Sequence, residues 1–141
     1  MNPRLQTVLS HPLHQFLGVA DIHSNDGYGE IRITVTDQLI NPAGLFHGGV
    51  VYVLSDVCAY AGLLSLLSDN EEAVTHDLHV SVLRPAMLGD EVVFRSEVVK
   101  RGRQLCFLNV TATVDDKIIA TARVTKSIIS QPNEAPEPLP E

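Results

Sequence analysis

The chain divides by its hydrophobic pattern into alternating segments and one continuous apolar run. Alternation of apolar and polar residues, which is typical of half-buried strands, marks two segments before residue 40 and four after residue 70. The apolar run from Gly48 to Leu67 is too long for a strand and predicts a helix that is apolar on nearly all sides. The predicted strands are residues 16–24, 28–36, 73–83, 90–100, 103–114 and 117–129, and a short helix is predicted over residues 3–15.

The order of these elements predicts an α+β fold. Asn25, Asp26 and Gly27 form a turn signal between the first two strands, which predicts a hairpin. The connections RPAMLGD, RGR and DDK are short, so the last four strands are expected to form an antiparallel meander. A helix this apolar must be covered, and we therefore expect a six-stranded antiparallel sheet that curls around one central helix.

Length and composition indicate one domain followed by a tail. The chain has 141 residues, of which 45% are hydrophobic, so it can bury one core, and we assign residues 1–130 to this domain. Residues 131–141, QPNEAPEPLPE, hold four prolines and three glutamates and are expected to be disordered.

Net charge and cysteine content indicate which kinds of partner the protein can bind and in which cellular compartment it is expected. A net charge of −7 argues against non-specific nucleic-acid binding but is compatible with a local basic site for an anionic ligand. Cys58 and Cys106 fall in a predicted helix and a predicted strand, which indicates reduced core residues of a cytoplasmic protein. No secretory signal is visible. A membrane span over residues 48–67 is the alternative to a buried helix, but Asp56 in its middle would cost roughly 2.5–3.5 kcal/mol on insertion scales.

The start of the long helix carries the first candidate chemistry. Helix N-termini expose unpaired N–H groups and a partial positive charge, and glycine lets another group approach the backbone closely. His47, Gly48 and Gly49 therefore fit a site for an anion or a polarised carbonyl group, as in an oxyanion hole. The alternative is a tight loop-to-helix junction in which the glycines only permit the turn.

Asp56, two turns into the apolar helix, is the second candidate. An unpaired buried charge is costly, so this carboxylate has either a partner or a function. A structural interpretation pairs it with a buried Arg, Tyr or His. A functional interpretation makes it a general base or a nucleophile.

Gly48 and Asp56 cannot act on the same atom within one chain. Eight residues of helix separate them, which corresponds to about 12 Å along the helix axis. A shared reaction would therefore need Gly48 from one chain and Asp56 from another, with two helices antiparallel across a two-fold axis. The sequence thus predicts a homodimer at least.

These residues resemble a known family. The segment NPAGLFHGG, followed by Asp56 seven residues after its second glycine, is similar to the hotdog-fold acyl-CoA thioesterases of the PaaI-like group. The likeness covers roughly residues 15–129 and includes VTHDLHVSVLRPAMLGDEV and VVKRGRQLCFLNVTATVDDKIIATARVT. It implies a hotdog fold, sites between subunits, a homotetramer built from two dimers, and hydrolysis of an acyl-CoA thioester with no cofactor beyond the coenzyme A of the substrate.

The resemblance also implies roles for individual residues. The backbone N–H of Gly48 would polarise the thioester carbonyl group with help from Asn41. Asp56 of the partner chain would activate water or attack directly, and the family leaves this choice open. Thr75 would assist the water, and His47 would support the loop and face the sulfur.

A basic hairpin is a candidate for binding the phosphates of coenzyme A. Lys100, Arg101 and Arg103 surround Gly102 at a predicted turn, where neighbouring cations favour an anion. The alternative is a solvated basic turn. Arg84 is a further candidate for the same role.

His76 and His79 invite a metal interpretation, which strand geometry argues against. Side chains three apart on a strand point to opposite faces, so the two rings would need a β-bulge to share an ion. We expect no metal site and assign His76 to the core, on the face of Leu78 and Val80.

Two other functions of the same fold remain as alternatives. A non-catalytic acyl-CoA-binding module would not need Asp56, and a regulator would need a DNA-binding segment for which 141 residues leave no room. Hydratases and dehydratases of this fold typically pair an Asp with a His a few residues on, whereas VCAYAG follows Asp56 here. The sequence does not distinguish aryl from short or long aliphatic acyl groups.

Overall fold

A computed structural model describes residues 2–130 and confirms the predicted α+β fold. One six-stranded antiparallel sheet has the strand order β1-β2-β4-β5-β6-β3, and a long helix packs against it. The strands are β1 Asp21–Asn25, β2 Tyr28–Thr34, β3 Glu71–Val82, β4 Glu91–Arg101, β5 Leu105–Val114 and β6 Lys117–Ser130. The helices are α1 Pro3–Ser10, α2 Pro12–Phe16 and α3 Gly48–Leu64, with a 3₁₀ turn over Asp37–Leu39. The predicted disorder of residues 131–141 concerns residues outside the described part of the chain.

The central helix α3 is buried along most of its length. Leu54, Cys58 and Leu63 are fully buried, and the helix packs chiefly against β2 and β4. It ends three residues before the predicted Leu67, because Ser65 terminates it and the following Leu66 is exposed. Within residues 2–130, no helix is both long and apolar enough to cross a membrane.

The N-terminal segment differs from the single helix and the strand predicted for it. Pro12 has no N–H and excludes helical geometry at the residue before it, so His11 is extended and α1 and α2 are separate helices. The first strand begins at Asp21 rather than at residue 16. Phe16 still belongs to α2, and Gly18 adopts a left-handed conformation that ends this helical segment.

The predicted meander of four strands is correct for β4, β5 and β6 and wrong for β3. Strand β3 pairs with β6, and β2 pairs with β4. Both sides of β4 are occupied by β2 and β5, so β3 does not pair with β4 and instead lies at the outer edge of β6. Residues 83–90 therefore cross from β3, which is an edge strand, to β4, and β5 and β6 lie between these two strands in the sheet.

Two glycines bring α3 into backbone contact with the sheet. A Cβ atom added at Gly29 of β2 would lie 2.7 Å from the carbonyl oxygen of Cys58 and 2.7 Å from the backbone nitrogen of Gly62. The hydroxyl of Ser96 donates a 2.7 Å hydrogen bond to the Cys58 carbonyl, and Ser24 donates to the Ala61 carbonyl. These contacts fix the position of the helix along the strand.

Candidate active site

The first turn of α3 leaves one backbone donor for a ligand. His47 is the N-cap residue, and its Nδ1 accepts a 2.9 Å hydrogen bond from the N–H of Gly49. The His47 carbonyl accepts from the N–H groups of Val50 and Val51. Within residues 2–130 the N–H of Gly48 has no acceptor, and a Cβ added at Gly48 would meet no atom within 4 Å. An incoming carbonyl oxygen can therefore reach this N–H at the positive end of the helix.

Asn41 shapes the loop that leads into the helix. Its side-chain oxygen accepts hydrogen bonds from the N–H groups of Ala43 at 2.9 Å and Leu45 at 3.0 Å. Its amide nitrogen has no acceptor in the described part of the chain and remains available as a donor. One cleft includes Asn41, Gly48 and Arg84, and its further lining residues are Leu45, Phe46, Val82, Leu83 and Pro85. The structure thus places three of the predicted site residues together.

Asp56 lies outside the cleft that includes Gly48, and its carboxylate has two hydrogen-bonding partners. Its side chain is 33% exposed, and its Oδ1 is 2.7 Å from the Nζ of Lys126. The hydroxyl oxygen of Thr75 lies 2.7 Å from Oδ1 and 2.9 Å from Oδ2. Thr75 and Lys126 are direct partners in the β3–β6 ladder, so the sheet presents both groups to the helix.

Lys126 was missed by sequence reasoning, which sought a buried Arg, Tyr or His as the structural partner of Asp56. The side chain of Lys126 is only 4% exposed. A signal for it exists in β6, because Ala120, Ala122 and Val124 alternate on the buried face and Lys126 is the next residue in that register. The structure therefore satisfies the charge of Asp56 while leaving its carboxylate in contact with solvent.

Asp56 and Gly48 belong to separate sites on one chain. Asp56 does not line the cleft that includes Gly48, in agreement with the separation of about 12 Å given by the helical rise. Each chain therefore carries two separate groups: an open backbone donor at the helix start and a carboxylate two turns later.

The basic hairpin offers fewer free cations than the sequence suggested. Arg101 forms a 2.7 Å ion pair with Glu71 and also donates to the carbonyl oxygens of Gly102 and Arg103. A hydrogen bond from the Ser68 backbone, followed by the Arg101 guanidinium, lowers the pKa of Glu71 to about 2. Lys100 and Arg103 are exposed and their side chains have no acceptor within residues 2–130, so they are the members of this cluster free to bind an anion.

His76 does not occupy the core position predicted for it. A β-bulge between Thr75 and Asp77 shifts the register, and the extra residue His76 is exposed, with Nδ1 3.4 Å from the Ser127 hydroxyl. His79 is also exposed. Among the described residues, no three His, Cys, Asp or Glu side chains are arranged to hold a metal ion.

Cys58 and Cys106 are buried and unpaired, as predicted. Burial raises the pKa of the Cys58 thiol to about 12 and also raises the pKa of Cys106. Burial thus disfavours the thiolate form, which is the nucleophile, at both residues.

Comparisons with known proteins identify the family to which this chain is similar. The thioesterase superfamily model matches residues 43–121. Acyl-coenzyme A thioesterase 13 of Homo sapiens is 31% identical over 99 residues, which cover 69% of this chain and 70% of that protein. Acyl-coenzyme A thioesterase PaaI of Escherichia coli K12 is 32% identical over 89 residues, 62% of this chain and 61% of that protein. A crystal structure of a hypothetical thioesterase with coenzyme A from Streptococcus pneumoniae TIGR4 has a TM-score of 0.73 and 25% identity, covering 79% of this chain and 89% of that one.

Proposed function

The chain belongs to the thioesterase superfamily and is a thioester hydrolase of the PaaI-like hotdog type, and we propose that it hydrolyses acyl-coenzyme A at a site shared by two subunits. The observation that supports a site shared by two subunits is the distance between Gly48 and Asp56 along α3. Each chain holds both chemical groups that thioester hydrolysis requires, yet holds them about 12 Å apart on one helix. Two copies related by a two-fold axis bring Gly48 of one to Asp56 of the other twice.

The proposed reaction uses the open donors at the helix start to polarise the substrate. The thioester oxygen accepts a hydrogen bond from the N–H of Gly48, with the Asn41 amide nitrogen as a second donor. Both donors are free within residues 2–130, and both border one cleft. Negative charge that develops on this oxygen during attack is stabilised by the donors and by the helix N-terminus.

Asp56 of the second subunit supplies the attacking group by one of two routes. As a general base it takes a proton from water, whose oxygen attacks the carbonyl carbon. As a nucleophile it attacks that carbon itself and forms an anhydride that water then hydrolyses. In both routes the carbon–sulfur bond breaks, the thiolate of coenzyme A leaves and takes up a proton, and the acid is released. These steps need no cofactor beyond the coenzyme A of the substrate.

The phosphates of coenzyme A have two candidate binding positions, as predicted from the sequence. Lys100 and Arg103 are free at the β4–β5 hairpin, and Arg84 borders the Gly48 cleft. We propose that the active assembly is a homotetramer of two dimers in the cytoplasm, a reducing compartment that suits the free Cys58 and Cys106.

Subunit complementation tests the shared site. Asp56→Ala and Asn41→Ala chains are unfolded together, refolded as a mixture and assayed with acetyl-, hexanoyl-, palmitoyl- and phenylacetyl-coenzyme A. Half of randomly paired dimers are mixed, and each mixed dimer has one intact site and one doubly altered site. The mixture should therefore recover about one quarter of the wild-type activity.

Two results would count against the proposal. A mixture no more active than the two variants assayed separately would place the whole site in one chain. Wild-type protein that binds these thioesters without releasing coenzyme A would be a binding module. Release is followed with a thiol reagent, for which the buried Cys58 and Cys106 give little background.

A further inference from the structure

Lys126 is a buried cation that the reaction described above does not use. The residue is 3% exposed, and its ammonium group donates to Asp56 Oδ1 at 2.7 Å and to Thr75 Oγ1 at 3.0 Å. It also lies 5.9 Å from the centre of the Tyr60 ring, within the range of a cation–π contact. A lysine is rarely buried unless its charge is paired, and here the carboxylate of Asp56 and the hydroxyl of Thr75 provide that pairing.

The direction of the hydrogen bonds follows from the chemistry of the three groups. An ammonium group only donates, so the Thr75 oxygen must accept from Lys126. The single hydroxyl proton of Thr75 is then directed to the carboxylate of Asp56, whose two oxygens are both within 3 Å of it. In this arrangement Thr75 orients Asp56, and the role in assisting the attacking water that the family resemblance implied for it stays a prediction.

The two oxygens of Asp56 are therefore not equivalent. Oδ1 accepts from the ammonium group of Lys126, whereas the one hydrogen bond of Oδ2 within residues 2–130 is with the Thr75 hydroxyl. The side chain is 33% exposed, so the carboxylate can still be reached from solvent. Of the two atoms, Oδ2 has the weaker competing donor and the greater capacity to accept a proton or to form a new bond.

We propose that Lys126 is a positioning residue that fixes Asp56 through Oδ1 and thereby assigns Oδ2 as the reacting oxygen. The inference rests on the proposed thioesterase function and holds for either route, because Oδ2 takes the proton of water in one and attacks the thioester carbon in the other. Lys126 itself remains buried beneath Asp56 and Thr75 and does not touch the substrate.

Lys126→Met tests this role, since methionine has a similar shape and no donor. Carboxylate misplacement by about 1 Å is enough to cost about 10²-fold in rate, so kcat should fall by that order. KM should stay within about threefold, because Lys126 makes no substrate contact. Rates are measured per folded molecule under single-turnover conditions with the best substrate among acetyl-, hexanoyl-, palmitoyl- and phenylacetyl-coenzyme A.

Val124→Ala is the matched control for a structural effect. Val124 lies on the same buried face of β6 and is 1% exposed, and its apolar side chain cannot donate a hydrogen bond to Asp56. It should lower stability while keeping kcat per folded molecule. Lys126→Gln keeps a neutral donor at this position and should recover part of the lost kcat. It also provides a folded variant if Lys126→Met does not fold.

The outcomes separate this inference from the proposed function. Wild-type protein that hydrolyses none of the four thioesters would remove the proposed function itself. An active wild type with Lys126→Met equal to Val124→Ala in kcat per folded molecule would overturn the positioning role alone. In an Asp56→Asn background, Lys126→Met should cause no further loss of kcat, and a second loss of about 10²-fold would show that Lys126 acts independently of Asp56.

Discussion

Replacing Asp56 by asparagine tests whether this carboxylate is catalytic, structural or both. Asparagine has nearly the same shape, and its side-chain oxygen can still accept from Lys126 and Thr75. The variant removes the charge and the capacity to act as a base or nucleophile, and it replaces one acceptor oxygen by an NH₂ donor. From the sequence alone, removal of a lone carboxylate from an apolar helix would be expected to stabilise the protein. The buried ammonium group reverses that expectation.

The stability cost follows from the burial of the two partners. Lys126 has a side-chain exposure of 4%, so its charge cannot be solvated when Asp56 loses its own, whereas Asp56 is 33% exposed. Breaking a fully buried ion pair costs about 3–5 kcal/mol, and partial exposure together with the retained hydrogen bond places this pair at the low end, about 3 kcal/mol. The loss of a general base should independently lower kcat by about 10²–10⁴-fold.

Two measurements on the same variant separate these effects. Urea denaturation at fixed protein concentration gives the change in the free energy of unfolding, and single-turnover hydrolysis gives kcat per folded molecule. Asp77→Asn, an exposed carboxylate on β3, is the matched control and should change neither quantity appreciably. Near-normal turnover per folded Asp56→Asn molecule would refute the catalytic role, and unchanged stability would refute the buried ion pair.

Three further predictions follow from contacts described above. Gly29→Ala should lower the free energy of unfolding by about 3 kcal/mol in urea denaturation, because the new methyl group would overlap backbone atoms of α3. Replacing Lys100 and Arg103 together by alanine should raise KM for acyl-coenzyme A more than it lowers kcat in initial-rate assays, since cations on the phosphates bind ground and transition states alike. Glu71→Gln should destabilise the protein above pH 4.5 in thermal unfolding, with the difference vanishing as the pH falls towards 2, because the folded-state pKa of Glu71 is lowered to about 2 from 4.5.

Each of these predictions has its own contrary result. Gly48→Ala is the stability control for Gly29→Ala, since its added Cβ has no neighbour within 4 Å, and equal destabilisation would contradict the packing argument. An unchanged KM for the variant lacking Lys100 and Arg103 would indicate that the phosphates bind elsewhere, with Arg84 as the remaining candidate. A stability difference for Glu71→Gln that persists at pH 2 would show that the effect is not electrostatic.

Local sequence chemistry was sufficient to predict the helix, its start and its carboxylate. The apolar run, the glycines at its beginning and Asp56 are all features of one continuous segment, and the helical rise follows from residue count alone. The separation of Gly48 from Asp56, and with it the expectation of two subunits, needed no tertiary information.

Features that depend on pairing between distant segments were not predictable in the same way. The position of β3 beside β6 depends on the order of all six strands, and a short connection to β4 gave the wrong partner. One bulge moved His76 from the predicted core to the surface. Lys126 was overlooked because a lysine in an alternating strand is ordinarily placed on the exposed face, although its register indicated the buried one.

The close contact at Gly29 and Gly62 determines which distance can vary in the proposed shared site. Backbone atoms of the helix and of β2 lie close together there, with the Ser96 hydroxyl beside them, so the helix cannot slide along β2 to adjust the spacing of its own functional groups. Within a chain the distance from Gly48 to Asp56 is then a constant, and the adjustable quantity is the offset between the two copies. In the proposed shared site, we therefore expect substitutions at the subunit boundary to change the reaction rate while the folding stability of each chain stays the same.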